Sequence, residues 1–243
     1  TTIRRGQKNN QIEICVNAVA PDIAKLCGAV LILSNDKNPY IAVKKAFDLA
    51  ERDGLINTKL KKQKVYPKSL EYLGWCTWNA FYHNVSESGI IEKMEEFKAK
   101  NIPVRWVLID DGWSEVNGDM TLKSIYEDKN KFPNGLKGII DILKQKYGIV
   151  SVGVWHAATG YWRGMGFKNE FTLTAPSEIE VPSGYEFYSM WHSYLKKQGV
   201  DFLKVDSQGN MPEFMQNIKN SLKRIESVQQ GLDKSAEENF DFM

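Results

Sequence analysis

The period of hydrophobic and polar positions changes near residue 70, which divides the chain into two differently patterned parts. Before that point, residues 11–18 and 28–34 form short apolar runs separated by turn-like residues, which predicts antiparallel β structure. Residues 39–54 have helical apolar spacing and end in a glycine, which predicts a helix. The polar stretch 55–69 is interpreted as a linker.

From residue 70 onward, strand-like and helix-like segments alternate. Apolar runs predict strands at residues 72–78, 103–109, 149–155 and 200–206. Each run precedes a segment with helical spacing, and these segments lie at 86–101, 134–148, 183–199 and 212–240, the last as one long helix or a helix pair. Four consecutive βα units predict a parallel sheet, either doubly wound or closed into a barrel.

Polar residues at the ends of the predicted strands distinguish these two architectures. In chain order they are Asn79, Asp110, Asp111, His156 and Asp206. TIM-barrel enzymes keep their catalytic groups at the carboxyl ends of their strands, whereas a doubly wound sheet concentrates ligand contacts near one switch point. The chain has no G-x-G-x-x-G sequence and no P-loop. The pattern therefore favours an α/β fold of the TIM (β/α)8 type.

The expected domain organisation has three parts. Residues 1–54 are predicted to be the end of an N-terminal antiparallel β-sandwich with a connecting helix, 55–69 a linker, and 70–243 the N-terminal half of a catalytic barrel. A complete barrel has eight βα units and about 250 residues. Because only about the first four units are present, we expect the rest of the barrel to lie outside these residues.

Composition narrows the class of protein. Of the 243 residues 42% are hydrophobic, which is enough for a packed core, and the net charge of +2 gives no nucleic-acid footprint. The cysteines Cys15, Cys27 and Cys76 form no CxxC and no disulfide framework, which favours a reducing, cytoplasmic compartment. No apolar run has membrane-spanning length, so no membrane partner is expected.

The fourth predicted strand carries the strongest chemical signal. Side chains alternate between faces along a strand, so Lys204 and Asp206 point into the same space. A neighbouring cation favours the ionised form of a carboxylate, which is the form a carboxylate nucleophile needs. A structural Lys–Asp pair at the mouth of a barrel would have the same pattern, and the residues alone do not separate the two interpretations.

Asp110 and Asp111 follow the second predicted strand. Adjacent strand residues face opposite sides, so both carboxylates reach one ligand only if the chain turns there, as Gly112 permits. An ionised carboxylate accepts hydrogen bonds, which suits sugar hydroxyls. In the alternative interpretation, one aspartate binds a ligand and the other caps a local turn.

Histidine and cysteine spacing gives no support for a metal centre. His156 ends the third predicted strand beside Trp155, and a lone histidine of this kind is more often structural. His83 and His192 receive no role. Because there is no HxH and no HExxH, we expect no metal and no cofactor. A Mg²⁺ or Ca²⁺ site formed by Asp110, Asp111 and Asp206 stays as a weaker alternative.

Four stretches, in matching order and spacing, resemble a known family. They are "LEYLGWCTWNAFYHNVSESGI", "IPVRWVLIDDGW", "VGVWHAATGYW" and "GVDFLKVDSQ". Together they resemble the raffinose synthase, seed-imbibition protein and alkaline α-galactosidase group, which is similar to glycoside hydrolase family 36. The resemblance covers about residues 25–240.

The resemblance implies a retaining glycosidase on a TIM barrel, acting on oligosaccharides with terminal α-linked galactose. It implies that Asp206 is the catalytic nucleophile and that Lys204 contacts the sugar. It also implies a substrate-binding set, in which Asp110 and Asp111 hold galactose hydroxyls, Trp155 and His156 line the pocket, and Trp75 and Trp78 lie near it.

Two departures from the family pattern affect this expectation. Asn79 stands where the family usually has aspartate, which removes a charge at the mouth of the pocket. The family's acid/base aspartate lies about two βα units beyond the nucleophile, and no residue of this chain takes that position. Since a retaining enzyme needs both carboxyl groups, we expect residues 1–243 alone to be inactive.

The residues and the resemblance are compatible with several functions. Hydrolysis of α-galactosides is preferred over raffinose-synthase-type galactosyl transfer, because the loops after the third strand are interpreted as short. A non-catalytic carbohydrate-binding fragment is a second class, which the absent acid would favour and the intact Lys204 and Asp206 oppose. A metal-dependent barrel hydrolase is a third, and it predicts sensitivity to chelators.

Overall fold

A computed structural model describes residues 2–6, 11–16, 28–56, 61–175, 178–216 and 220–240. Cys27 lies outside these residues. The described strands are β1 Thr2–Arg5, β2 Ile12–Cys15, β3 Gly74–Cys76, β4 Trp106–Ile109, β5 Ser114–Val116, β6 Leu122–Glu127, β7 Ser151–Ala157, β8 Thr172–Thr174, β9 Glu180–Pro182 and β10 Phe202–Asp206. The α-helices are α1 Pro39–Arg52, α2 Trp78–Phe81, α3 Glu87–Ala99, α4 Gly135–Tyr147, α5 Tyr185–Lys197, α6 Met211–Phe214 and α7 Ser221–Asn239.

The chain divides into two compact units, Thr1–Tyr66 and Pro67–Met243. In the first unit, β1 and β2 pair antiparallel, and α1 begins at Asn38, whose side chain accepts the backbone N–H of Tyr40 at 2.9 Å. The helix predicted over 39–54 is therefore confirmed. The strand predicted over 28–34 is wrong, because these residues are irregular and Leu33 is 80% exposed. An apolar run needs a partner strand to bond its backbone, and no described strand pairs with this one.

In the second unit, four parallel strands form one sheet in the order β10-β7-β4-β3. Spatial order therefore follows chain order, and each strand lies beside the next. The register pairs Lys204 with Trp155 and Ile109 with Val154, which brings the carboxyl ends of the strands together. The parallel sheet and the α/β alternation predicted from the sequence are confirmed.

Helices α3, α4 and α5 connect the strands, and their ends follow local sequence signals. Ser86 caps α3 by accepting the N–H of Gly89 at 3.2 Å, and α4 ends at Gly148 in the left-handed conformation, with φ of 66°. The final segment, predicted as one helix or a pair, contains the separate helices α6 and α7. Within the described ranges, no helix combines the length and apolar character needed to cross a membrane.

The two faces of the sheet are packed differently. On one face, buried residues such as Val107, Ile109 and Val154 pack against the helices in the main core. On the other, aromatic rings cross between strands, and Trp106 lies 5.9 Å from Phe202 between ring centroids. Gly153 makes this possible, since a Cβ there would lie 2.3 Å from the Phe202 ring.

Two β-hairpins were not predicted from the sequence. Strands β5 and β6 follow β4, and β8 and β9 lie between β7 and α5. The connection after β7 therefore runs from Ala158 to Gly184, which corrects the interpretation of the loops after the third strand as short. These hairpins leave little periodic signal in the sequence, because their strands have only three to six residues.

Candidate functional site

The carboxyl end of β4 holds two adjacent aspartates within the protein. The strand's hydrogen-bonded residues end at Ile109, and Gly112 adopts φ of 108°, so the chain turns immediately after the pair. Asp110 is 2% exposed and Asp111 is 1% exposed. Buried charges need close partners, and the partners of these two carboxylates define the site.

Asp110 connects three strands. Its Oδ2 accepts the ammonium of Lys204 on β10 at 2.7 Å and the thiol of Cys76 on β3 at 3.1 Å. Its Oδ1 accepts the backbone N–H of Asp111 at 2.8 Å, and its own N–H donates to the Thr77 hydroxyl at 2.9 Å. The lysine therefore pairs with Asp110, two strands away from its own.

Both partners of Asp110 have perturbed ionisation. Partial burial acts to lower the pKa of Lys204, but the hydrogen bond and charge of Asp110 outweigh it and the net direction is upward. Burial raises the pKa of the Cys76 thiol, and the bond to Asp110 raises it further. The site therefore holds a firmly charged lysine beside a thiol in its protonated form.

Asp111 is surrounded by ring donors. The Tyr161 hydroxyl donates to its Oδ1 at 2.8 Å, and the Trp162 indole N–H donates to its Oδ2 at 2.7 Å. His83 Nε2 lies 3.1 Å from the same Oδ2, and because a carboxylate only accepts, this nitrogen is the donor. Burial raises the pKa of Tyr161, with a further contribution from Asp111, so the phenol remains a donor.

Asp206 ends β10 and is fixed at both carboxylate oxygens. The Trp155 indole N–H donates to Oδ2 at 3.1 Å, and the backbone N–H of Ser207 donates to Oδ1 at 2.7 Å. Ser207 has φ of 59°, which turns the chain directly after the strand. A carboxylate has about four acceptor positions, so these two donors leave capacity for further partners.

Aromatic rings connect two of the three carboxylates, Asp111 and Asp206. Trp155, which binds Asp206, lies 5.7 Å from Trp162 between ring centroids, and Trp162 binds Asp111. Trp155 is itself held by the buried Trp113, whose indole donates to its carbonyl at 2.7 Å. Of the predicted site residues, Asp110, Asp111, Lys204, Trp155 and Asp206 are therefore brought together at one end of the sheet.

The tryptophans of the β3 segment divide between site and core. Trp78 begins α2, and its ring lies 5.2 Å from that of His83, which reaches Asp111. Trp75 packs edge-on against Phe97 of α3 at 5.3 Å, on the core side of β3. Trp78 thus lies beside the site, and the expectation that Trp75 also lies near it is corrected.

His156 does not join Trp155 in the pocket. Strand alternation turns it to the helix-facing side, where it is 1% exposed and its Nε2 lies 3.1 Å from Nε2 of His192. The Ser235 hydroxyl lies 2.8 Å from the other ring nitrogen of His192. The placement of His156 among substrate-binding residues is therefore corrected, because its neighbours are core groups.

Other residues of the site received no role from the sequence. Tyr161 and Trp162 lie inside the third motif, His83 lies in a loop, and the spacing of Cys76 carries no signal, so the sequence alone assigns none of them to the site. In the described part of the chain, no group of three or more His, Cys, Asp or Glu side chains could hold a metal ion.

Sequence comparison addresses the family directly. A profile described as raffinose synthase or seed imbibition protein Sip1 matches residues 2–132 and 123–184. The chain belongs to this family. The matched region contains the first three strands of the parallel sheet and, with them, both aspartates of β4.

The relatives that match this chain are much longer than it is, and the chain spans about a third of their length. It is 28% identical to the probable galactinol–sucrose galactosyltransferase 6 of Arabidopsis thaliana, over 97% of this chain and 37% of that protein. It is 32% identical to the probable α-galactosidase B of Talaromyces emersonii, over 60% of this chain and 29% of that protein. A solved α-galactosidase of glycoside hydrolase family 36 from Geobacillus stearothermophilus aligns with a TM-score of 0.47 and 15% identity, covering 70% of this chain and 27% of that one.

Proposed function

We propose that this chain carries the sugar-binding and nucleophile part of a retaining enzyme that transfers terminal α-galactosyl groups. The observation that carries the proposal is the fixed carboxylate of Asp206, held by Trp155 and Ser207 beside the Lys204–Asp110 pair. Membership of the raffinose synthase family supports the choice of galactose as the transferred sugar. The substrates are oligosaccharides or conjugates that end in α-linked galactose.

In the proposed mechanism, Asp206 attacks the anomeric carbon and forms a covalent galactosyl ester while the bond to the leaving oxygen breaks. Trp155 and Ser207 orient the carboxylate for this attack. The leaving oxygen takes a proton from a second carboxyl group, which then removes a proton from the acceptor hydroxyl that attacks the ester. We propose that this second carboxyl group comes from outside residues 1–243.

The polar groups around Asp206 serve to hold the galactose. Asp110 and Asp111 are almost fully buried, so they anchor donors that reach further out. The side chain of Lys204 is 43% exposed, and the His83 side chain is 50% exposed. We propose that Lys204 and the remaining acceptor capacity of the two aspartates bind the galactose hydroxyls, and that the Trp162 ring stacks against the apolar face of the sugar.

A sugar acceptor is the better-supported alternative to water. The relative that matches 97% of this chain is named a galactosyltransferase, and the expectation of hydrolysis rested on loops that are longer than interpreted. Hydrolysis remains the second candidate, supported by the relative named an α-galactosidase. Both reactions share the nucleophile and differ in the acceptor.

We further propose that the parallel sheet is the first half of a TIM barrel and that β1 and β2 belong to a β-sandwich before it. The sequential order of β3, β4, β7 and β10 supports the barrel, as does a site at the carboxyl ends of the strands. A cytoplasmic location is proposed on the cysteine usage alone.

The test uses the complete protein, that is, residues 1–243 together with the further residues that bring the chain to the length of its relatives. It should release galactose from an aryl α-galactoside or, with sucrose present, form a trisaccharide. Asp206→Asn should lower either turnover by roughly 10³-fold or more, whereas the control Asp141→Asn, at a half-exposed side chain on α4, should not. Residues 1–243 alone should be inactive. Full activity of Asp206→Asn, or turnover by the isolated chain, contradicts the proposal.

A further inference from the structure

The segment that follows β3 exposes an aromatic ring in an unfavourable backbone conformation. Tyr82 is 57% exposed and has φ of 48°. A bulky residue rarely adopts a positive φ, and such conformations persist where the surrounding structure over-determines them, often at ligand sites. Burial of the ring does not explain this conformation, because the ring lies largely in solvent.

The same segment is fastened to the end of β4. The Lys131 ammonium donates to the carbonyls of His83 and Gly112, each at 2.8 Å. The two backbones are in close contact, since a Cβ at Gly112 would lie 2.6 Å from the His83 carbonyl oxygen. Tyr82 is therefore part of a fixed surface next to the paired aspartates.

The exposed Tyr82 ring extends a row of aromatic rings along the site toward solvent. This row, called the aromatic wall here, contains Trp155, Trp162, His83 and Trp78. The Tyr82 and His83 rings lie 5.1 Å and 5.2 Å from Trp78, and His83 binds Asp111 at 3.1 Å. From Asp111 the wall leads through Trp162 and Trp155 to Asp206, as described above. Tyr82 stands at the outer end of this wall and the proposed nucleophile at its inner end.

We propose that Tyr82, Trp78 and His83 form the subsite for the acceptor sugar, an inference that rests on the proposed galactosyl transfer. The apolar face of the acceptor sugar stacks on the exposed Tyr82 ring, and the Trp78 ring, at 80° to that of Tyr82, borders the sugar from the side. His83 donates through Nε2 to Asp111, so its other ring nitrogen, Nδ1, is the atom that forms a hydrogen bond with an acceptor hydroxyl. An incoming hydroxyl is thereby held outside the galactose that is bound to Asp206.

The test compares Tyr82→Ala with Tyr72→Ala in the complete protein. Tyr72 is 50% exposed and precedes β3 at its opposite end, so it is matched in exposure but not in location. With an aryl α-galactoside as donor and sucrose as acceptor, Tyr82→Ala should raise the acceptor KM and lower the ratio of transfer to hydrolysis by about tenfold. Tyr82→Phe should retain most of the ratio, and Tyr72→Ala should retain all of it.

The outcomes separate the subsite from the proposed function. An unchanged acceptor KM in a folded Tyr82→Ala enzyme overturns the subsite, as does a change confined to the KM of the aryl donor, which would place its aglycone there. If the wild-type protein transfers no galactose, the proposed reaction fails. A titration of residues 1–243 with sucrose, followed by NMR of the Trp78 indole, then decides the subsite, because the absence of any shift overturns it.

Discussion

Trp155 and His156 are neighbours on β7, yet they belong to two polar clusters of opposite character. Trp155 binds Asp206 in a cluster of charged groups that includes the half-exposed Lys204. His156 binds His192 in a cluster on the helix-facing side, where both rings are buried. A polar residue at the end of a strand therefore does not always belong to a functional site, because the face of the sheet on which it lies determines its neighbours.

The histidine cluster satisfies its hydrogen bonds without any charge. His156 Nδ1 faces the Ala157 carbonyl at 3.2 Å, so this nitrogen carries the proton and Nε2 accepts from His192. The other nitrogen of His192 then accepts from the Ser235 hydroxyl. Burial lowers the pKa of His156 to about 4, which keeps its ring neutral. We interpret this cluster as structural and the charged cluster as functional.

The largest effect that would sharpen this contrast is expected at Lys204. Lys204→Met removes the charge that pairs with Asp110 and should lower turnover of the complete protein on the order of 10²-fold. Lys123→Met provides a matched control, because Lys123 pairs with Glu115 at the surface with side-chain exposures of 55% and 38%. Equal activity of the two variants, measured on an aryl α-galactoside, would remove Lys204 from the site.

A reciprocal pair of histidine variants tests the two clusters against each other. His192→Ala leaves His156 and Ser235 without a buried partner and should lower the free energy of unfolding by about 2–4 kcal/mol. His83→Ala removes a half-exposed ring and should cost less than about 1 kcal/mol while it lowers transfer. Urea unfolding and turnover per folded molecule provide the two measurements.

The distinction between a structural and a functional cluster is wrong if the two variants show the opposite losses of stability and turnover. A stable His192→Ala variant with reduced turnover would move the buried cluster into the catalytic machinery. An unstable His83→Ala variant with normal transfer would make His83 structural.

The sequence predicted the framework of this site but not the neighbours of each residue. Apolar runs located the four parallel strands, and alternation placed Lys204 and Asp206 on one face, which the structure bears out. Alternation also implies that His156 faces away from Trp155, so the position of His156 on the helix-facing side could be predicted from the sequence. The partnership of Lys204 with Asp110 was not, because it joins positions 94 residues apart.

Local periodicity also could not reveal the contacts made by loops. Tyr161 and Trp162 follow β7 in an irregular segment, and their bonds to Asp111 depend on how that segment folds back. The hairpins β5–β6 and β8–β9 were missed for the same reason. Tertiary contacts determine these features, and such contacts leave no periodic pattern of hydrophobic and polar residues in the sequence.

Acid titration should detect the neutral histidines. Burial lowers the pKa of His156 to about 4, below the ordinary value of 6.5, and lowers that of His192 to about 2. Between about pH 6.5 and pH 4 the unfolded chain therefore binds more protons than the folded chain, and the free energy of unfolding falls as the pH is lowered. The slope is at most about 1.4 kcal/mol per pH unit for each histidine.

The double variant His156→Leu/His192→Leu provides the comparison for this titration. Its stability should vary less than that of the wild type between pH 6.5 and about pH 4.5, because the two titrating groups are gone. Urea midpoints at several pH values give the measurement. Parallel pH profiles for the two proteins would show that the buried rings do not control acid stability.

The smallest expected effect is at Cys76, which lies at the edge of the charged cluster. Its thiol donates to the same oxygen of Asp110 that accepts Lys204. Cys76→Ser keeps a donor and should retain turnover within about twofold, whereas Cys76→Ala should lower it by about threefold to tenfold, since a neutral hydrogen bond contributes about 1 kcal/mol. Because burial and Asp110 raise the pKa of this thiol, alkylation at pH 7 should also be slow. Equal turnover of the serine and alanine variants would show that the thiol does not help to hold Asp110, which would then keep Lys204 and the backbone N–H of Asp111 as its donors. Rapid alkylation of Cys76 would contradict the raised pKa of its thiol.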